Sequence, residues 1–212
     1  MPLYDVGVTD AHESDDARRP MSQVVMRNVF LWGLLLAFIG VAVLLQSWSR
    51  GRALAGLADE PTRAGELSVR MPVDWTVRTE GRFPIISALK ITEGQTVFEG
   101  DTLVVRVLES SDSSGSQSLP QVMRNEQFGE LGLFNVAVWA APRTMRAGGE
   151  TWTMANYVLQ PPGEPGLIAG VRSVAARRLP GNRVVMVTLQ NFDQTLSGDA
   201  LVRAVASTVQ VR

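Results

Sequence analysis

A charge-free apolar run from Val29 to Leu45 sets the first limit on what this chain can become. As a helix it measures about 25 Å, and about 31 Å when extended from Asn28 to Trp48, enough for the hydrocarbon core of a bilayer. The pattern predicts a polar tail over 1–27, one transmembrane helix over 28–48, a linker over 49–65 and a single soluble domain over 66–212. A cleaved signal peptide is the rival reading, because Ala53-Leu54-Ala55 offers a small-x-small cut site. The length of the apolar run, the preceding tail, and Arg50 and Arg52 ahead of that site favour an uncleaved anchor.

The flanking charges do not decide orientation: Arg18, Arg19 and Arg27 on one side meet Arg50, Arg52 and Arg63 on the other. A short tail, one span and a large exported domain make the simpler topology. The N-terminus is therefore expected in the cytoplasm of a bacterium and the domain in the periplasm, with Trp48 at the outer interface. Within the span, Gly33, Ala37 and Gly40 fall at i, i+4 and i+7, a small-residue stripe that lets another transmembrane helix pack closely. The span holds no histidine, so the helix is expected to dock beside haem or pigments rather than ligate them.

Composition removes most familiar chemistry from the domain. Cysteine is absent and the one histidine, His12, lies in the tail, so no thiolate, imidazole base or Cys/His metal site is available there. Twenty basic residues, all arginine except Lys90, balance 21 acidic ones, and this near-neutral total offers no field for nucleic acid. The tail is acidic and aperiodic and is expected to be disordered alone.

Beyond Leu67 the apolar period changes to two, the mark of half-buried strands. Leu67, Val69 and Met71, then Trp75 and Val77, alternate with other residues; Ile85, Ser87, Leu89 and Ile91 mark a further strand, and Leu103, Val105 and Val107 another. A serine-rich loop over 110–118 leads to a helix over 119–129, with Ser118 as cap and Pro120 in its first turn. Strands over 135–145 and 151–159 join at Gly148-Gly149, and strands over 168–179 and 183–191 join at Pro180-Gly181-Asn182. A helix over 198–206 and an extended end at Val209 and Val211 complete an α+β fold, an antiparallel β-sheet flanked by helices.

Four local matches occur in a fixed order: Met71-Pro72-Val73-Asp74-Trp75, the Gly149-Glu150-x-Trp152 to Tyr157 strand, Pro180-Gly181 running into Val184–Leu189, and Ala206-Ser207-Thr208-Val209. In these, 66–212 resembles the PsbP-like family of extrinsic photosystem proteins and bacterial relatives. The resemblance implies an α/β/α sandwich and a non-enzymatic domain that binds membrane complexes or other proteins. The membrane helix and the lack of histidine depart from the plant members and put a metal-retaining role in doubt.

Candidate chemistry is sparse. Glu126 and Glu130 fit a solvated helix face better than an acid pair. Asp193 and Asp199 fit the positive end of the last helix. The Pro162–Gly166 stretch lacks the Lys-Ser/Thr of a phosphate loop. Arg143, Arg146, Arg172, Arg177 and Arg178 are candidate interface residues for an acidic partner or lipid headgroups. Trp139 and Trp152 are expected in the core; either one, if exposed, becomes the first interface candidate. Together these features predict no catalytic residue, cofactor or metal. They point to an accessory subunit of a multi-subunit membrane complex, with a photosynthetic reaction-centre and antenna assembly as the example the resemblance favours. The alternative is an anchored periplasmic module that binds a small ligand or envelope component.

Overall fold

In a computed structural model, residues 21–80, 83–92, 95, 100–109, 117–129, 135–164, 166–192 and 198–212 are described. Residues 1–20 of the tail expected over 1–27, most of the serine-rich loop, Glu130, Asp193 and Pro165 lie outside them, whereas 21–27 of that tail are helical. The chain divides into two units, Met1–Ser47 and Trp48–Arg212.

Helix α1 runs Met21–Ala55, beyond both ends of the expected span, with 21–47 in the first unit and 48–55 in the second. Asn28–Leu45 is long and apolar enough to cross a membrane, and every side chain in it is exposed. The second unit is built on an antiparallel sheet of seven strands: β3 (Thr76–Glu80), β4 (Ile85–Lys90), β5 (Asp101–Glu109), β6 (Asn135–Ala147), β7 (Glu150–Gln160), β8 (Gly170–Leu179) and β9 (Arg183–Asn191). Their order is β3-β4-β5-β9-β8-β7-β6. Helix α2 (Leu119–Gly129) and helix α3 (Asp199–Thr208) complete the sandwich, with a small sheet of β1 (Thr62–Ala64), β2 (Leu67–Val69) and β10 (Gln210–Val211).

Successive strand residues point to opposite faces, and this sorts the interior into two cores. Met154 of β7, Ala175 of β8, and Val185, Val187 and Leu189 of β9 pack with Val202 and Val205 of α3 and with Leu67, Val69 and Met71. The intervening residues, Ala155, Tyr157, Val174, Ala176, Val184 and Met186, pack with Val122 and Met123 of α2. The two helices thus cover opposite faces of one sheet, as the sandwich reading expects. The strands between them are apolar on both sides.

Three local readings change. The stretch taken as a linker, 49–65, is partly domain: Leu57 and Ala64 are buried in the core with α3, and β1 pairs with β2. In β4 the alternation is real but its phase is inverted, because Ile86 and Ala88 face Val105 and Leu103 and are buried, whereas Ile85, Ser87 and Leu89 are half-buried. Trp139 is not core: it is 56% exposed beside the equally exposed Val138. Register irregularities between Val138 and Ala140, and between Ala140 and Arg143, break the alternation there and turn two neighbouring side chains outward.

Turn chemistry agrees with the sequence. Gly148 and Gly149 both have positive φ at the β6–β7 turn, as do Gly181 and Asn182 at the β8–β9 turn. At the start of α2 the Gln121 side chain accepts the Ser118 backbone N–H at 2.8 Å, half of a capping box. Gly148 is constrained twice, since its φ is +60° and a Cβ there would lie 2.5 Å from the Ser207 carbonyl oxygen. Gly148→Ala should therefore destabilise the domain by about 2 kcal/mol or more, measured by chemical denaturation of the purified chain.

Candidate functional surfaces

Gly33, Ala37 and Gly40 lie within an arc of about 60° on α1. Among the described residues, and apart from the helix's own backbone, a Cβ added at Gly33 or Gly40 meets nothing within 4 Å. Ala37 is exposed with its neighbours.

The structure does not gather the five candidate arginines into one patch. Arg172 is a correction: at 6% exposure it is buried and unavailable to a partner, because it faces α2 from the centre of the sheet. There its guanidinium donates to Gln127 Oε1 at 2.8 Å and to Gln190 Oε1. Arg177, one face over, sits 5.4 Å above the Trp152 ring and pairs with Glu150 at 3.0 Å. Arg178 donates to the Gln117 carbonyl just ahead of α2, and Arg143 pairs with Asp199. Arg146 is exposed and, among the described residues, has no ion-pair partner. It borders a cavity of about 160 Å³ between the β6–β7 turn and α3, shared with Arg203 and Ser207. Of the two tryptophans, Trp152 is 1% exposed and belongs to the core, whereas Trp139 stands on the outermost strand β6.

Sequence reasoning missed two polar centres. Asp199, expected only to favour the helix dipole, accepts from Arg143, from Asn156 Nδ2 at 3.1 Å and from Ser173 Oγ at 3.3 Å. It makes no side-chain cap of its own helix; the Gly198 position has none. Asp199 thus ties α3 to β6, β7 and β8. No local pattern announces this, since its partners lie 26 to 56 residues away. The second centre is the Gln127–Arg172–Gln190 bridge, with Arg106 and Glu126 paired nearby at 3.2 Å. Glu126, read as a solvated face, is only part-exposed and is held by that arginine. In the same layer burial pushes the Tyr157 hydroxyl above its ordinary value, partly offset by the Arg124 charge, so it stays protonated at neutral pH.

No protein-family model matches the sequence, and no curated protein matches it. Among solved structures the chain is similar to the cyanobacterial PsbP (CyanoP) of Synechocystis, at 11% identity and a TM-score of 0.48, over 73% of this chain and 94% of that one. It is also similar to the Ran-binding protein Mog1p of Saccharomyces cerevisiae, at 14% identity and a TM-score of 0.48, over 73% and 96%. A third is LpqN of Mycobacterium tuberculosis, involved in cell envelope biogenesis, at 16% identity and a TM-score of 0.43, over 73% and 91%.

Because three side chains of the sheet converge on Asp199, Asp199→Ala should cost about 2 kcal/mol, more than a surface ion pair contributes. Arg143→Ala, which leaves Asp199 its other two donors, should cost less than half of that in the same urea titration.

Proposed function

We propose that this chain is a non-catalytic, single-span accessory subunit that stabilises or assembles a multi-subunit bacterial membrane complex. The observation that carries the reading is the charge-free helix Asn28–Leu45, whose side chains are all exposed. Such a surface needs lipid or other apolar helices around it. The Gly33, Ala37, Gly40 stripe gives one side of it the shape for close helix contact, with open space at both glycines among the described residues. The tail lies in the cytoplasm and the domain in the periplasm, in this reading. The complex is bioenergetic, with a photosynthetic reaction-centre and antenna assembly preferred on the sequence resemblance of 66–212 to the PsbP-like family.

One observation in the domain supports protein contact: Trp139 presents an exposed indole, a side chain enriched where proteins bind each other.

Purification in mild detergent followed by mass spectrometry should recover the chain with other membrane subunits; a solitary monomer would count against the proposal. Gly33→Leu with Gly40→Leu should leave insertion intact and release the protein from that complex. Association that survives both changes assigns binding to the domain or the tail. N-terminal sequencing that finds a mature start at Gly56 would remove the anchor altogether.

A further inference from the structure

A cavity of about 160 Å³ lies between the end of β6, the β6–β7 turn and α3. Its helix side follows from periodicity: Ala200, Arg203, Ala204 and Ser207 stand at the i, i+3, i+4, i+7 spacing of a single face, and all four line it. Arg146, Ala147 and Gly148 line it from the strand and turn. Small residues keep the space open. Ala147 and Ala204 are buried and offer only methyl groups, while Gly148 sits so close to the Ser207 carbonyl that a Cβ would lie 2.5 Å from its oxygen. The result is an apolar floor with a guanidinium supplied from each side.

Neither guanidinium has an ion-pair or hydrogen-bond partner among the described residues, whereas Arg106, Arg143, Arg177 and Arg183 each pair with a carboxylate. The acids adjoining the lining residues in sequence are engaged elsewhere. Glu150 pairs with Arg177, and Asp199 accepts from Arg143, Asn156 and Ser173. The negative end of α3 would oppose an anion, but two of its last carbonyls already have donors: Ser207 Oγ bonds the Ala204 carbonyl at 2.6 Å, and Thr208 Oγ1 bonds that of Val205 at 2.8 Å. Two like charges at one cavity repel each other, and an anion between them removes that repulsion.

We propose that this cavity binds a small phosphate ester through Arg146 and Arg203. A carboxylate matches one guanidinium fork with its two oxygens, whereas a phosphate ester has oxygens to meet two arginines at once. Its carbon stem then covers the alanine floor. The space holds on the order of ten water molecules, the size of a phosphate on a short stem. Every lining residue belongs to the domain, so the site succeeds or fails independently of how α1 docks and of the accessory-subunit reading.

The test is isothermal titration calorimetry on the full chain in an uncharged detergent, with glycerol 3-phosphate and a short-chain phosphatidylglycerol in separate arms. Ionic strength is held constant with sodium chloride. At least one arm should show saturable binding. Tighter binding of glycerol 3-phosphate assigns a free ester, and tighter binding of phosphatidylglycerol assigns a lipid headgroup. Arg146→Gln and Arg203→Gln should each weaken binding about 10-fold or more, with the circular dichroism spectrum unchanged. Ala200→Leu keeps every charge and fills the space, and it should weaken binding at least as much. No saturable heat in either arm overturns the proposal. Wild-type affinity in Arg146→Gln or in Ala200→Leu does the same, because binding then depends on neither the guanidinium nor the cavity.

Discussion

The domain depends on one geometric constraint: strands β7, β8 and β9 are apolar on both faces, so neither face can be left to water. Two separate layers must be found to cover them. α3 with the β1-β2-β10 sheet supplies one layer and α2 the other. The first of these layers is assembled from opposite ends of the domain, since β2 precedes the large sheet in the chain and α3 follows it. Closing the α3 side therefore brings residues near 67 into contact with residues near 205, and β10 pairs with β2 to seal that contact. Glu66, paired with Arg183, extends the same closure to the β8–β9 turn.

Apolar contact alone leaves a small helix free to slide on a flat sheet, and α3 has ten residues. Asp199 limits that freedom. Its carboxylate takes donors from β6, β7 and β8, so one side chain at the first turn sets where the helix sits across three strands. Gly148 acts at the other end of the helix, where the β6–β7 turn approaches the Ser207 carbonyl too closely for any side chain. The α2 side is registered differently, through the Arg172 guanidinium between Gln127 of the helix and Gln190 of β9.

What could be read from the sequence follows from the range of each interaction. Turns at Gly148-Gly149 and Gly181-Asn182, the capped start of α2 and the long strands are local, and they were legible as residue patterns. The phase of β4 was not, because Ile85, Ile86, Ala88 and Leu89 support either face, and only pairing with β5 decides between them. The exposure of Trp139 depends on bulges that no spacing reveals. Among the arginines, alternation along β8 forces Arg172 and Arg177 to opposite faces. A set chosen by charge alone therefore could not form one surface. Arg172 had the residue type of a contact and the position of a core residue.

The two edges of the large sheet bear on how this domain can meet another protein. An open edge invites a further strand, and proteins commonly blunt such edges with charge or irregularity. β3 is exposed along its whole length and carries Arg78 and Glu80, the charged form of protection. β6 uses the other form, with pairing to β7 broken between Val138 and Arg143, at the stretch where Trp139 and Val138 turn outward. Strand addition on that side would require a partner to match the same irregularities. What β6 offers instead is side-chain surface, with the indole of Trp139 as its largest exposed apolar group.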